Sequence, residues 1–464
     1  MRTTKNSLYG GLLGVAALGL GACQGLVEDI NNDPNNFTDV TLELSLNQAG
    51  LATGAISNQQ TARIATIFSD QFVGSDRQFI ALNSYSAVGA TFDNSWEDIY
   101  QRGLVAAQIA RDQAQEQGLT ALDGAAQIFE AYYFAEAAAL FGDVPFSEAN
   151  QIEQFEDPAL EPQADVLRGV VSMLDEAIGK VGDRAVAADF TGIFVGDLTY
   201  AQLANGLKAR YALYLMDYAG AAEFAAAAEM DTEGESLRIR TSTANYGENL
   251  WYQFEVEQRS DYISIGESTL FQILADSTER TRANDKTDDD ARLAYFNSGV
   301  SGGINRINTV DGFGAIAEPL DVITAREVQL ILAESLARTG DTEGAIAALN
   351  TARNIWEAKL GLGDDVYEDY EADDFEEDGI AATAGETAAN SLLLEILEEK
   401  FVSVIGTPSY YDVLRTDNLL GVRIKGTGTT MIPQRFLYPQ TERSSNSSLP
   451  EELPGLFEPL PLYR

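Results

Sequence analysis

Two stretches of this chain place aromatic side chains next to arginine, asparagine and aspartate. The first covers residues 71–96 and the second covers residues 251–262. An aromatic ring stacks on the apolar face of a sugar, while amide, carboxylate and guanidinium groups bind sugar hydroxyls. Both stretches have the composition that a saccharide-binding site needs. The candidate ligand-binding residues are Arg77, Tyr85, Asp93, Asn94, Trp96, Trp251, Tyr252 and Tyr262, with Arg259 and Asp261 between the last two.

The neighbouring sequence predicts burial for some of the tryptophans and exposure for others. Trp96 falls at the start of a predicted helix, where tryptophan more often packs into a core than exposes its ring. Trp251 and Tyr252 fall on a predicted loop, which favours contact with a ligand. Trp356 lies inside a predicted helix and is expected in the core.

The start of the chain carries chemistry of another kind. A cationic beginning and an apolar run ending at Leu20 are typical of a secretory signal peptide, and the run is shorter than the roughly 20 apolar residues of a membrane-spanning helix. The tetrad Leu20-Gly21-Ala22-Cys23 resembles a bacterial lipobox, whose cysteine is acylated and becomes the first mature residue. We therefore expect a signal peptide over residues 1–22 and lipidation of Cys23. An ordinary signal peptide with an incidental buried cysteine is the alternative.

Composition excludes several functions. The formal net charge of −42 repels phosphate backbones, which argues against nucleic-acid binding. The chain contains no histidine, which removes histidine-assisted serine or cysteine catalysis and most zinc sites. A pair of carboxylates can still perform glycosidase chemistry, but the sequence does not single out such a pair among 72 acidic residues.

The acid excess, with arginine favoured over lysine, resembles proteins of salt-loving organisms. In strong brine the Debye length falls to about 3 Å, so the repulsion among carboxylates is screened. We expect the fold to loosen in dilute buffer.

Two acidic clusters, at residues 285–290 and 364–379, raise the question of a metal ion. Oxygen-rich clusters suit calcium, although neither cluster matches an EF-hand loop. A solvated mobile loop is the other interpretation of the later cluster, and it is the one that its composition favours. No cofactor is expected, with a structural calcium left as an alternative.

Long alanine-rich segments with apolar residues at three- and four-residue spacing predict a mainly α-helical fold. The short strand-like pieces lie at about 237–243 and 419–424. The predicted helices cover about 41–58, 93–117, 122–141, 162–180, 198–216, 219–230, 321–339, 342–358 and 388–404.

Two helix pairs share a pattern of small residues that is typical of tetratricopeptide-type hairpins. Alanines at these positions let antiparallel helices approach closely. They are Ala209, Ala221 and Ala228 in the first pair, and Ala333, Ala345 and Ala352 in the second. We predict a superhelical scaffold over residues 23–464 with insertions at about 237–319 and 364–387. Insertions on such a scaffold commonly build its binding face.

Several phrases along the chain together resemble the SusD/RagB outer-membrane lipoproteins. The match is carried by their order and spacing. The phrases are 29–36 (Asp-Ile-Asn-Asn-Asp-Pro-Asn-Asn), Trp96 with Tyr100, 140–146 (Leu-Phe-Gly-Asp-Val-Pro-Phe), 290–293 (Asp-Ala-Arg-Leu), 326–334 (Arg-Glu-Val-Gln-Leu-Ile-Leu-Ala-Glu), 411–415 (Tyr-Asp-Val-Leu-Arg) and 433–442, with Pro433, Arg435, Tyr438, Pro439 and Glu442. We expect Glu334 and Arg435 to cap or pair within the fold. The segment 399–402 departs from the family by lacking a double arginine.

The resemblance implies a nonenzymatic protein on the cell surface, held in the outer membrane by its lipid. Such a protein would sit as a lid on a SusC-like TonB-dependent transporter and present a captured oligosaccharide, or a peptide, to its lumen. Two other functions stay open. A lipid-anchored repeat scaffold would bind polypeptides, and a glycoside hydrolase would cleave the sugar.

Overall fold

The helices form where alanine, leucine and other good helix formers recur at three- and four-residue spacing. The computed structural model describes residues 40–190, 192–363 and 366–464, and it confirms the mainly α-helical fold. The predicted signal peptide, Cys23 and the 29–36 phrase lie outside these residues. The chain divides into one unit that ends at Leu44 and a second, Ser45–Arg464, that holds the core.

The elements are numbered in chain order. The helices α1 to α17 are Leu42–Asn58, Gln60–Phe68, Gln78–Asn83, Asp93–Glu97, Val105–Glu116, Thr120–Phe141, Gln163–Val181, Tyr200–Tyr214, Tyr218–Ala228, Leu250–Tyr252, Thr269–Leu274, Asp290–Phe296, Ala325–Thr339, Thr342–Leu360, Ala388–Ser403, Thr407–Arg415 and Gln440–Ser445. Two π-helical segments continue α4 and α10, namely Asp98–Leu104 and Gln253–Gln258. The strands β1 to β7 are Val73–Gly74, Phe194–Val195, Leu237–Ile239, Ile263–Ser264, Asn297–Ser301, Ile304–Ile307 and Leu320–Ile323.

The two predicted hairpins, α8–α9 and α13–α14, lie side by side although a long insertion separates them in sequence. Helix α9 packs directly against α13, while α6 and α7 extend the row on the other side of α8. All six alanines of the predicted pattern are completely buried. The pattern therefore identifies buried positions within both hairpins, and the chain between the hairpins must leave the row and return to it.

The second helix of each hairpin begins with the same device. The Asp217 carboxylate accepts a hydrogen bond from the Gly220 amide at 3.0 Å, and the Asp341 carboxylate accepts one from Gly344 at 2.9 Å. An aspartate N-cap satisfies an amide that the helix leaves unpaired. Glycine at the third helical position leaves room for the cap, since a Cβ at Gly344 would lie 2.7 Å from Asp341 Oδ2. The turn residues of the sequence thus set the start of both helices.

Short strands connect the insertion to the helical row. Strands β2, β3 and β7 form an antiparallel sheet in which Ile239 opposes Phe194 on one side and Leu320 on the other. Strand β1 pairs with β4, and β5 pairs with β6. The β2–β3–β7 sheet places the loop that follows β3 beside α1.

The structure corrects two predictions of helix and strand position. Residues 321–323 form β7 and not the start of a helix, because they pair with β3 before Thr324 caps α13. The piece 419–424 is not a strand, and Arg280 binds the carbonyl oxygens of Leu420 and Gly421 instead.

The later acidic cluster contains buried aromatic residues. Tyr370 and Phe375 are buried in a core cluster with residues of α13, α14 and α15, and Tyr367 is buried as well. The aromatic residues that interrupt the acidic run therefore anchor it, while most of its described acidic side chains are exposed to solvent, as the interpretation as a solvated loop predicts.

Buried ion pairs join segments that are distant in the sequence. Glu334 on α13 accepts hydrogen bonds from Arg415 Nη1 on α16 at 2.7 Å and from Arg338 at 2.8 Å, and it lies 3.6 Å from Lys400 on α15. Burial alone would raise the pKa of Glu334, but the charges of Arg415 and Lys400 outweigh it and hold that pKa well below its usual range. Glu334 thus pairs within the fold, as predicted.

The 399–402 segment, which lacks the double arginine, takes part in a second buried network. Glu399 pairs with Arg292 at 2.9 Å and also with Arg282, and both arginines contact Asp289. The segment is therefore structural. No helix in the part of the chain that the structure describes is long and apolar enough to cross a membrane.

Candidate functional site

The two aromatic stretches meet through the pairing of β1 with β4. The Tyr262 carbonyl accepts a hydrogen bond from the Ser75 amide at 2.8 Å. This brings exposed Arg77 and half-buried Tyr262 to the same surface, where the Arg259 guanidinium lies 5.6 Å from the centre of the Tyr262 ring. Ligand contact by Arg77 and Tyr262 stays a prediction.

Trp251 lies in the core, with 1% of its surface exposed. Its ring centre is 5.3 Å from the ring centres of both Phe72 and Phe313. The prediction that it lies on a loop is wrong, because the Asn249 carboxamide caps the amides of Trp251 and Tyr252 and starts the helical turn α10. A ring enclosed by other rings offers no face to a sugar, whereas Tyr252 stays half-buried.

Trp96 is enclosed as well, with 5% of its surface exposed. Its ring centre lies 4.5 Å from that of Tyr100 and 5.0 Å from that of Phe141. Asp93 and Asn94 stand on the same turn but point to other partners. Asp93 accepts a hydrogen bond from the Thr441 amide at 3.3 Å, and Asn94 donates one to Gln60 at 2.9 Å.

Tyr85 holds the irregular segment that precedes α17. Its hydroxyl accepts a hydrogen bond from the Lys425 amide at 3.0 Å, and burial raises the pKa of Tyr85 to about 12. Its edge-on contact with Phe68 covers the ring. Like Trp96 and Trp251, Tyr85 therefore packs inside the protein. Tertiary contacts, which the sequence pattern does not reveal, bury all three rings.

A cavity of about 360 Å³ opens beside α10, between α1, the π-helical segment Asp98–Leu104, β3 and the 240–248 loop. Its volume falls in the range of small-molecule sites. Both aliphatic and polar side chains line it. The lining residues are Gln48, Leu51, Ala52, Gly54, Ala55, Gln59, Arg102, Ile239, Arg240, Thr241, Tyr246, Gly247, Glu248, Leu250 and Leu320.

Tyr246 stands at the tip of the 240–248 loop with 96% of its surface exposed. Its φ of 67° is left-handed, and the loop closes through hydrogen bonds from the Gly247 amide to Ala244 and from the Ser242 amide to Gly247. The turn thus holds a large ring in solvent at the mouth of the cavity. Tyr246 is not among the predicted residues, although small polar residues before it and glycine after it signal a turn.

The charged groups of the cavity differ in how well they are paired. Arg102 donates to Asp98 at 2.8 Å and to Glu97 at 3.2 Å, while burial raises the pKa of Asp98 to about 6. Glu248 is buried and accepts a hydrogen bond from Gln253 at 3.1 Å. Arg240, in contrast, is exposed, and its guanidinium has no partner among the described residues.

Two further charged groups, Arg63 on α2 and Glu255 on the π-helical segment Gln253–Gln258, lie outside the cavity lining. The Arg63 guanidinium stacks 4.1 Å from the centre of the Phe254 ring, and burial lowers the pKa of Arg63 to about 10. Burial likewise raises the pKa of the neighbouring Glu255 to about 8. These groups tie α2 to the second aromatic stretch and are withdrawn from solvent.

Another cavity, of about 460 Å³, lies between α5, α6 and residues 149–151. Its polar groups bond to one another: Arg111 donates to Glu130 at 2.7 Å, Gln108 donates to Glu130 at 3.2 Å, and Asn150 donates to Gln108 at 3.1 Å. No aromatic side chain is among its described lining residues. It therefore suits a sugar less well than the cavity beneath Tyr246.

The acidic clusters that raised the question of calcium are engaged in ion pairs. Lys286 binds the Asp374 carboxylate at 2.8 Å and so joins the two clusters, and Asp289 binds Arg282 at 3.0 Å. Within the described ranges, no group of three or more acidic side chains is arranged to hold a metal ion.

Comparison with known proteins adds family information to this geometry. A model of the SusD-like family, described as "Starch-binding associating with outer membrane", matches residues 32–439. Curated protein sequences give no match.

Solved structures show the same fold at low sequence identity. A SusD/RagB family protein from Bacteroides thetaiotaomicron is 22% identical with a TM-score of 0.59, covering 88% of this chain and 95% of its own. A SusD homolog from Parabacteroides distasonis is 17% identical with a TM-score of 0.68, covering 91% and 98%. A chitin-binding SusD homolog from Flavobacterium johnsoniae is 14% identical with a TM-score of 0.65, covering 88% and 94%.

Proposed function

This chain belongs to the SusD-like family, and on that premise we propose that it binds an oligosaccharide at the cell surface and delivers it to a TonB-dependent outer-membrane transporter. The mature chain, residues 23–464, would act as one domain that covers the transporter as a lid. The family's description as starch-binding and associated with the outer membrane supports the binding role and the location. The lipid on Cys23 would keep the lid close to its transporter while it opens.

The observation that carries the binding role is the exposed ring of Tyr246 at the mouth of the 360 Å³ cavity. A sugar that enters the cavity would stack its apolar face on this ring. The side chains of Gln48 and Gln59 supply hydrogen-bonding groups for its hydroxyls, and the Thr241 hydroxyl, which donates to the Glu318 carbonyl at 2.9 Å, can accept one. An aromatic platform with converging polar groups is the arrangement that sugar recognition requires.

The same cavity favours binding over hydrolysis. A glycosidase normally uses two carboxylates that flank the scissile bond. Among the described lining residues the cavity has one carboxylate, Glu248, which is buried and bonded to Gln253. We therefore propose that the protein releases its ligand unchanged.

Calorimetric titration of the mature protein with maltohexaose and chitohexaose tests this proposal. These probes follow from the starch-binding description of the family and from the chitin-binding relative. We expect saturable binding of at least one hexasaccharide, and chromatography of the mixture should recover the sugar at full length. Shortened products would identify a glycoside hydrolase and contradict the proposal. The titration belongs in high-salt buffer, which screens the charge of −42.

Replacement of Cys23 tests the proposed anchor. The Cys23→Ala protein is expected to move from the membrane fraction to the soluble fraction, because stable anchoring depends on the acyl chains. The measurement is the distribution of the protein after ultracentrifugation, with Ser7→Ala in the same leader as the control. A Cys23→Ala protein that stays with the membrane would show that another segment or partner holds it there.

A further inference from the structure

The unpaired guanidinium of Arg240 is unusual in this protein. Most of the described arginines lie within 4.0 Å of a carboxylate, and others stack on aromatic rings or donate to carbonyl oxygens. Within the described part of the chain, Arg240 and Arg443 are the arginines whose side chains have none of these partners. Both are exposed, but Arg240 alone of the two lines the cavity beneath Tyr246.

Arg240 places an unpaired positive charge in the cavity lining of a strongly negative protein. Glu248, the lining carboxylate, is buried, accepts a hydrogen bond from Gln253 and forms no ion pair with Arg240. Arg102 contributes a second guanidinium to the lining, held by Asp98 and Glu97. The net charge of −42 repels anions in general, so an anionic group would be held here only by specific contacts.

We propose that the ligand of this cavity is an acidic oligosaccharide, whose sugar carboxylate binds Arg240 while the ring stacks on Tyr246. This inference rests on the proposed function and names its substrate class. A planar guanidinium binds a carboxylate through two parallel hydrogen bonds, which a single hydroxyl of a neutral sugar cannot reproduce. The exposed ring favours a sugar over an acidic peptide because it offers a flat apolar surface for stacking.

The test compares hexagalacturonate with the same hexamer after methyl esterification of its carboxylates. The two probes share their sugar backbone and differ in charge. We expect the free acid to bind the mature protein at least about tenfold more tightly than the ester in calorimetric titration at one fixed salt concentration.

Arg240→Gln is expected to bring the affinity for the acid down to that for the ester, and Arg443→Gln is expected to leave both unchanged. Arg443 is the matched control because it is exposed and unpaired but lies outside the cavity lining. Thermal melting of both variants verifies folding, and the comparison of acid with ester in the wild-type protein does not depend on either variant.

Three results would overturn the inference, and they separate it from the proposed function. Equal binding of acid and ester, together with binding of maltohexaose or chitohexaose, would leave a sugar-binding protein without the preference for acidic ligands. Tighter binding of hexaglutamate than of hexagalacturonate would identify an acidic peptide as the ligand. Failure of every saccharide probe to bind would overturn the proposed function as well.

Discussion

The Tyr246→Ala protein is expected to bind its hexasaccharide at least about tenfold more weakly than the wild-type protein, with an unchanged melting temperature. The ring is 96% exposed, so its removal takes no packing from the folded state. It removes the stacking surface at the cavity mouth, and loss of an aromatic anchor commonly costs a binding site about 2 kcal/mol or more. Calorimetric titration with whichever hexasaccharide binds the wild-type protein most tightly gives the comparison.

Tyr246→Phe is the matched control for this experiment. It keeps the ring and the left-handed backbone position and removes a hydroxyl that makes no hydrogen bond to the described residues. We expect its affinity to stay within about threefold of the wild-type value. Full affinity in Tyr246→Ala would show that the sugar does not stack on this ring. A large fall in its melting temperature would show that the loop has a structural role.

The Glu334→Gln protein is expected to lose about 3 to 5 kcal/mol of its free energy of unfolding. Glu334 is completely buried, and its charge offsets those of Arg415 and Lys400, which are themselves buried. The amide keeps the size of the side chain but not its charge. Asp412 lies 2.7 Å from Arg415 and 2.9 Å from Lys400, so one carboxylate would remain for two cations. The charge left uncompensated in the interior accounts for the size of the loss.

Urea unfolding of Glu334→Gln beside Glu223→Gln measures this effect. Glu223 is an exposed glutamate on α9, so the same change there is expected to alter the free energy of unfolding by less than about 0.5 kcal/mol. Similar midpoints for the two variants would mean that the buried network contributes little. Both titrations need one fixed salt concentration, because the protein carries a large negative charge.

Local signals in the sequence were sufficient to predict the helical row. The buried alanines of both hairpins follow from their spacing, and the aspartates at the turns cap the helices that they precede. The start of the predicted helix 321–339 was wrong for a long-range reason, since its first residues pair with β3, which is distant in sequence. The helix pattern does not reveal such a partner.

The candidate site was less predictable because its properties depend on tertiary contacts. Trp96 and Trp251 satisfy the composition of a sugar site, but Phe141 covers one ring and Phe72 covers the other. To predict that these rings are buried, one must know which helices pack against each other. Tyr246 had a local signal in the sequence, namely a turn of small polar residues. The predicted stretch began at Trp251, one residue after the lining residue Leu250, and so did not include Tyr246.

A crystal structure of the mature protein with its tightest-binding hexasaccharide tests the central claim most directly. We expect a sugar ring to lie against Tyr246 inside the 360 Å³ cavity, with Arg240 in contact with a sugar carboxylate when the ligand is hexagalacturonate. A sugar bound elsewhere, for example between Gln108 and Glu130 in the second cavity, would contradict the claim.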